Sequence, residues 1–81
     1  MLPTVLRADG FRFYFYSHEP GEPVHVHVDK RGASAKIWLE PVSLARNRGF
    51  RARELNAIIS LVRDHRSALV EAWNGYFGGS R

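Results

Sequence analysis

Apolar and polar residues alternate through the first half of the chain, which is the pattern of β-strands buried on one face. Residues 4–6 form a short apolar run, and the segments 11–16, 24–28 and 33–39 follow it as further predicted strands. Asp9-Gly10 predicts a tight turn between the first two segments. Pro41 is expected to bend or end the last one, because proline has no amide hydrogen for the ladder. The pattern predicts an antiparallel meander of about four strands, with residues 42–45 as an optional short edge strand.

The turn between the third and fourth strands sets which side chains share a face. A four-residue loop over 29–32 would pair three sets of residues across this hairpin: Val28 with Ala33, Val26 with Ala35, and Val24 with Ile37. A one-residue bulge at Gly32 would instead invert one strand. The first register brings apolar residues together, and we therefore expect it.

This register gives the predicted sheet two different faces. The one that must be covered, which we call the phenylalanine face, holds the apolar side chains just paired together with Phe11, Phe13, Phe15 and Leu39. The opposite one, the tyrosine–histidine face, holds Arg12, Tyr14, Tyr16, His25, His27, Lys36 and Trp38, with Ser34 beside them. Aromatic, cationic and titratable side chains meet there, so it is the candidate binding face.

The apolar period changes to three and four over residues 52–74, which predicts one long C-terminal amphipathic helix on the phenylalanine face. Its stripe holds Leu55, Ile58, Ile59, Val62, Leu69 and Trp73. Phe50 and Glu54 mark its start as a hydrophobic staple and a capping-box acid. About 23 residues make a helix of about 35 Å, whereas strands of six or seven residues span about 20 Å, so the helix should overhang the sheet.

Two features of this helix bear on the oligomeric state. Arg66 falls within the apolar stripe, and a weaker apolar line of Ala57, Leu61, Ala68 and Ala72 runs behind it. Alanine is a good helix former and arginine can extend its head group into solvent, so both have an ordinary explanation. The alternative is a homodimer formed through the long helix.

Length and composition narrow the class of protein. The 81 residues fit a single α+β domain over 1–81, whose modest core a partner subunit would help. The chain has no cysteine, which excludes disulfides, thiolate metal sites and cysteine nucleophiles, and favours the cytoplasm over an oxidising compartment. No apolar run approaches the roughly 18 residues that span a bilayer, so we expect a soluble protein.

Arginine supplies most of the positive charge. Twelve Lys and Arg against eight Asp and Glu give a net charge of +4, which weakly favours acidic partners, nucleic acid included. Arg46, Arg48, Arg51 and Arg53 crowd the predicted helix start. Because cations are unfavourable at the positive end of a helix dipole, an anion such as phosphate would stabilise this cluster. The alternative is a solvated arginine-rich loop.

His25 and His27 lie two residues apart on a strand, so their imidazoles point to the same side and could share a cation. Zinc takes four ligands, and the other nearby candidates are His18, Glu22 and Asp29. The alternative is a pair of ordinary strand residues that face outward. We predict no cofactor and assign no metal site.

Several motifs follow one another along nearly the whole chain: Glu22-Pro23-Val24-His25-Val26-His27-Val28, Ala35-Lys36-Ile37-Trp38-Leu39-Glu40-Pro41-Val42, Leu44-Ala45-Arg46-Asn47, Gly49-Phe50, Glu54-Leu55, Glu71-Ala72-Trp73-Asn74 and Tyr76-Phe77. Together they resemble a family of short bacterial proteins of unknown function. Members of that family often carry the motif Pro-His-Val-His-Val, and this chain has Val24 in place of its proline. Genes of that family frequently lie beside a gene for another small domain, an arrangement that resembles toxin–antitoxin pairs. The resemblance therefore implies a small protein partner from a neighbouring gene, and it assigns no catalytic residue.

Three functions fit these residues, and whether the protein is an enzyme stays open. The first, which the sequence favours, is a protein-binding module of a toxin–antitoxin-like unit that uses the tyrosine–histidine face. The second is an RNA-contacting, toxin-like ribonuclease, with His25 or His27 as the base and Lys36, Arg12 or a tyrosine at the phosphate. The third is metal binding through the two histidines.

Overall fold

A computed structural model describes residues 4–16 and 21–78 of the chain, which form a five-stranded sheet followed by two helices. The elements are β1 (Thr4–Ala8), β2 (Phe11–Tyr14), β3 (His25–Lys30), β4 (Ala33–Leu39), β5 (Val42–Arg48), α1 (Ala52–Asp64) and α2 (Arg66–Tyr76). Neighbouring strands pair antiparallel in the order β1-β2-β3-β4-β5. The predicted α+β class and meander are confirmed, whereas four strands and one helix are each one too few.

The additional strand is β5, which is seven residues long. Leu39 pairs with Val42, so Glu40 and Pro41 alone make the turn between β4 and β5, and the peptide bond joining them is cis. Pro41 thus ends β4 as expected, but the chain returns at once into a full strand. The optional edge strand over 42–45 therefore extends to Arg48.

Two-residue turns connect β1 to β2 and β3 to β4. The φ angles are 53° at Asp9 and 83° at Gly10, and 50° at Arg31 and 84° at Gly32. Positive φ at both central residues is typical of the type I′ turn, whose twist matches that of the flanking strands. Asp9-Gly10 forms the predicted turn. The predicted four-residue loop over 29–32 is wrong, because Arg31 takes a conformation that non-glycine residues rarely adopt.

The shorter turn moves β4 along β3 by two residues. Val28 pairs with Ala35 instead of Ala33, and Val26 pairs with Ile37. Because strand side chains alternate with a period of two, a shift of two residues leaves every side chain on its predicted face. The division into a phenylalanine face and a tyrosine–histidine face therefore holds although the predicted pairs are wrong.

Both helices cover the phenylalanine face and complete the core. Its buried members are Phe11, Phe13, Phe15, Val26, Val28, Ala35, Ile37, Leu39, Phe50, Ile58, Val62, Leu69 and Trp73. The predicted helical stripe thus packs on the predicted face, with Leu55 and Ile59 partly buried beside it. Complete burial of a large apolar side chain contributes about 1.5–3 kcal/mol, so this face is the main source of stability.

The predicted single helix is broken at His65. This residue has φ −111° and ψ 15°, outside the helical range. Its backbone N–H and its ring Nδ1 both lie within hydrogen-bond distance of the Leu61 carbonyl oxygen, at 3.0 and 2.9 Å. A side chain that enters the backbone ladder is a known cause of kinks. The 13 residues of α1 span about 20 Å, so α1 is no longer than the seven-residue strands β4 and β5. Neither helix is long and apolar enough to cross a membrane.

Arg66 has an intramolecular role that explains its place in the apolar stripe. Its Nε donates to the Leu39 carbonyl oxygen at 2.7 Å, and its Nη2 lies 3.4 Å from Glu40 Oε2. These contacts fasten the start of α2 to the turn between β4 and β5. The guanidinium therefore satisfies a carbonyl at the end of β4, which an apolar side chain could not do.

The second apolar line of the helices divides between the core and the surface. Leu61 and Ala72 pack against the core, whereas Ala57 and Ala68 are exposed. Two of the four residues are thus already covered within one chain. The homodimer through the helices stays a prediction, which sedimentation at micromolar concentration would test.

A β-bulge in β5 decides on which face its arginines lie. Leu44 and Arg46 pair with consecutive residues of β4, so Ala45 is the extra residue. With regular alternation from Leu44, both arginines of β5 would lie on the covered phenylalanine face. The bulge instead places Arg46 and Arg48 on the tyrosine–histidine face and Asn47 on the other.

Candidate anion-binding face

The tyrosine–histidine face buries much of its aromatic surface. The exposed fractions of Tyr14, His25 and His27 are 3%, 0% and 5%, whereas Tyr16 and Trp38 are partly exposed. Both histidines lie on the tyrosine–histidine face, as the alternation predicts, but they are buried there and are not the ordinary exposed strand residues of the alternative interpretation. The physical reason is that aromatic neighbours on this face, together with Trp73 of α2, pack around the imidazoles and exclude water.

The tyrosines pack around His27. Its ring centroid lies 5.5 Å from that of Tyr14 at an interplanar angle of 24°, and 4.4 Å from that of Tyr16 at 78°. One ring therefore stacks on the imidazole and the other meets it edge-on, the two arrangements that aromatic pairs prefer. Tyr14 is the direct cross-strand neighbour of His27, so the register of β2 on β3 creates this cluster.

His25 is enclosed at the beginning of β3. Its ring centroid lies 5.7 Å from Trp38 in β4 and 4.8 Å from Trp73 in α2. Its Nδ1 lies 2.8 Å from the Pro23 carbonyl oxygen, and because that oxygen can only accept, Nδ1 carries the proton. The helical spacing predicts Trp73 only as a core residue, and its contact with a histidine has no signal in the sequence.

Tyr14 belongs to a polar network across β2 and β3. Its hydroxyl donates to Asp29 Oδ1 at 2.8 Å. The Arg12 guanidinium carbon lies 4.5 Å from the centre of the Tyr14 ring, and Arg12 Nη1 lies 3.9 Å from Asp29 Oδ2. Burial, followed by the hydrogen bonds with Asp29 and Tyr16, raises the pKa of Tyr14 far above its usual range. Asp29 follows His27 by two residues, so strand alternation would have placed it on this face.

A depression of about 210 Å³ opens beside this network. It is lined by Tyr14, Tyr16, His27, Ser34, Ala35, Lys36, Arg46 and Arg48. Pockets for whole small-molecule ligands usually measure about 300–1,000 Å³. The depression therefore suits a group of the size of a phosphate, with the rest of its ligand outside.

The cations around the depression differ in their partners. Lys36 forms an ion pair with Glu22, and its Nζ lies 4.8 Å from the centre of the Trp38 ring. Arg46 and Arg48 are exposed, and neither forms an ion pair with a residue that the structure describes. Arg46 stands directly opposite Lys36 across the strands, where like charges repel. An anion in the depression would relieve this repulsion.

The structure does not bring the four predicted anion-binding arginines together. Arg46 and Arg48 belong to β5 and line the depression. Arg51 is the N-cap residue of α1, and Arg53 is exposed in its first turn. The start of α1 already has an anionic group of the chain itself, because the Arg51 backbone N–H donates to the Glu54 carboxylate oxygen Oε1 at 3.3 Å. Proximity in the sequence suggests one cluster, whereas Arg46 and Arg48 belong to the sheet and the other two arginines to the start of α1.

The geometry gives metal binding no support among residues 4–16 and 21–78. No group of three or more His, Asp or Glu side chains in these ranges lies together so that it could hold a metal ion. His18, one of the possible ligands, lies outside the described residues. Glu22 is engaged with Lys36. His25 uses Nδ1 for a backbone carbonyl. Metal binding through His25 and His27 stays a hypothesis, with no third ligand among the described residues.

The fold and this face define a small α+β domain with a basic, aromatic-walled depression on an open sheet. The chain belongs to the DUF4160 family, described as a domain of unknown function, whose model matches residues 10–74. No curated protein and no solved structure significantly matches the chain. The family description assigns no activity, so a functional proposal rests on the geometry of the face.

Proposed function

We propose that this protein is a binding module that contacts single-stranded RNA and holds one of its phosphates in the depression of the tyrosine–histidine face. The observation that carries the proposal is the convergence of Lys36, Arg46 and Arg48 on a depression walled by Tyr16 and His27. Open sheets hold single strands by this combination, in which cations bind the backbone and aromatic rings receive a base.

The burial of the aromatic side chains supports an RNA ligand ahead of the protein partner that the sequence favours. A protein-binding face would need the aromatic area of Tyr14, His25 and His27, and these side chains are almost fully buried. The exposed groups around the depression are instead Arg46 and Arg48. An anionic ligand complements exposed arginines that form no ion pair with a described residue, whereas a mainly apolar protein surface would leave them unpaired when it covers them.

Fluorescence anisotropy with a labelled single-stranded RNA of about 12 nucleotides tests the proposal. The double variant Arg46→Ala/Arg48→Ala should weaken binding about 10-fold or more. It should also lower the slope of log K against log salt by about 0.7 for each lost phosphate contact, measured between about 50 and 200 mM salt.

The matched control is Arg51→Ala/Arg53→Ala. It also removes two positive charges from this part of the chain, but from residues that do not line the depression. We expect its affinity to stay within about twofold of that of the unaltered protein, with an unchanged salt slope. Equal losses in both double variants would show charge attraction without a site, and no binding at low salt would overturn the proposal.

A ribonuclease is the second candidate, and one observation favours it: His27 lines the depression. His27 would be the base at the ribose 2′-hydroxyl, because His25 has no exposed surface and cannot reach a ligand. If a labelled RNA is cleaved, His27→Asn should abolish cleavage, whereas Tyr16→Phe should retain most of it. Intact RNA after incubation with an excess of the unaltered protein would leave binding alone.

We further propose, on the family resemblance alone, a cytoplasmic bacterial protein encoded beside a small protein partner, as in toxin–antitoxin units. Copurification from the native host with the neighbouring gene product tests this part separately. A small protein in equal amount supports it. The domain alone, recovered with or without RNA, contradicts it.

A further inference from the structure

The strand β5 is an edge of the sheet. It pairs with β4 on one side, and no described strand lies on its other side. Six of its seven residues pair with β4, and most of its side chains are exposed. An edge strand presents a row of backbone N–H and C=O groups that can pair with an added strand.

A groove of about 370 Å³ runs between this edge and α1. It is lined by Val42, Ser43, Leu44, Ala52, Leu55, Asn56, Ile59 and Arg63. Leu44 is 45% exposed there, which is unusual for a leucine that stands directly opposite the fully buried Ile37. The groove therefore offers apolar surface on the side of the edge that faces α1.

Positive charge is concentrated in the part of the chain that forms β5 and α1. Residues 42–64 contain five arginines and two acidic residues, a net charge of +3 out of the chain's +4, whereas residues 1–41 are balanced at five of each sign. Arg46 and Arg48 flank the edge on one face, and Arg63 lies in the groove on the other. None of the three forms an ion pair with a described residue.

We propose that the β5 edge and its groove bind an acidic, extended segment of a partner protein, which adds to the sheet as a sixth strand. Strand side chains alternate between faces. The segment would thus place apolar side chains in the groove beside Leu44 and carboxylates beside Arg46 and Arg48. This occupant is recognised by backbone pairing, apolar contact and charge together, and the inference does not depend on RNA binding.

Charge also argues against a second copy of the chain at this edge. Two β5 strands paired with each other would bring together two stretches of net charge +2, and like charges along an edge are a common device against self-pairing. An acidic segment gains from the charges that disfavour a copy. The same arginines therefore select the partner.

The test uses the full chain and a fluorescein-labelled peptide of about ten residues in which glutamate alternates with valine and leucine. We expect saturable binding and slower amide hydrogen exchange in β5. Leu44→Glu should weaken binding at least about 10-fold, because it puts a carboxylate in the apolar groove against an incoming apolar side chain. The control Ala57→Glu adds the same charge to an exposed position of α1 outside the groove, and it should change the affinity less than about threefold.

A second peptide with lysine in place of glutamate separates charge recognition from general stickiness. We expect it to bind at least about 10-fold more weakly. Equal binding of the two peptides would overturn the proposal, as would absent binding or unchanged exchange in β5. Sedimentation that shows a dimer broken by Leu44→Glu would identify a second copy as the occupant and overturn it too.

Discussion

The two faces of the sheet both bury aromatic rings, but different forces hold them. On the phenylalanine face, Phe13 and Phe15 are fully buried under two helices, in a core of aliphatic and aromatic side chains. On the tyrosine–histidine face, Tyr14 and His27 are almost as buried, yet each ring carries polar atoms. No buried side-chain nitrogen or oxygen in the described part of the chain lacks a hydrogen-bond partner.

This difference separates stability from specificity. Apolar burial is non-directional, so the phenylalanine face needs only side chains of the right size. The opposite face needs defined partners, because a buried hydroxyl or imidazole without one is costly. A cluster with defined partners holds Tyr16 and His27 in fixed positions beside the depression, which is what a binding site requires.

The largest effect should come from the phenylalanine face. Phe13→Ala should lower the free energy of unfolding by about 3–5 kcal/mol, because it leaves a cavity between the sheet and the helices. Urea unfolding followed by circular dichroism measures this change. A loss below about 1 kcal/mol would mean that the helices collapse onto the site and that this face is less tightly held than its burial suggests.

A smaller loss, about 1–2 kcal/mol, is expected from Tyr14→Phe, which keeps the ring but removes the hydroxyl that donates to Asp29. The same variant should change stability at high pH. The pKa of Tyr14 is raised in the folded protein above its ordinary value near 10, so above pH 10 the unfolded chain releases this proton and the folded chain retains it. Stability from this group is present below pH 10 and declines above it, by at most about 1.4 kcal/mol per pH unit.

Urea unfolding at several pH values between about 9 and 11 measures that slope. Tyr14→Phe should decline less steeply than the unaltered protein, and Tyr76→Phe is the control because it removes a partly exposed phenol elsewhere. Identical slopes for all three proteins would mean that Tyr14 titrates normally. The polar network would then contribute less than its burial indicates.

The smallest effect should come from Arg12→Ala. Its guanidinium lies over the Tyr14 ring and near Asp29, but both charged partners are accessible to water. Ion pairs of this kind contribute about 0–1 kcal/mol, so we expect a loss of about 0.5 kcal/mol that shrinks in high salt. Thermal unfolding at two salt concentrations checks this. A loss as large as that of Tyr14→Phe would make Arg12 an essential part of the network.

Local alternation predicts the two faces better than it predicts the pairing of strands. The faces depend only on whether residue numbers are odd or even, so an error of two residues at Arg31 and Gly32 leaves them intact. The burial of His25 could not be predicted from the sequence, because it depends on Trp73, which lies 48 residues away along the chain. Periodicity reports which side a residue takes, whereas burial depends on what the rest of the chain brings to that side.

Two irregular features account for the other differences. The break at His65 comes from a side chain bonded to the backbone of the preceding turn, while the apolar spacing continues through it. The bulge in β5 separates Arg46 and Arg48 from Arg51 and Arg53. Neither feature changes the apolar pattern. That pattern therefore predicts one unbroken helix, with the arginines clustered in a loop before it.

Ala45 can be regarded as a spare residue in the length of β5. Arg46 and Leu44 already pair with adjacent residues of β4, so a chain shortened by Ala45 alone could keep every other pair in place. The arginines would then remain on the same side, while the edge would lose its local twist and become flatter. A flat edge is a better template for pairing with other chains. The extra residue would thus protect against aggregation. Its deletion should lower the solubility of the protein before it weakens RNA binding at the depression.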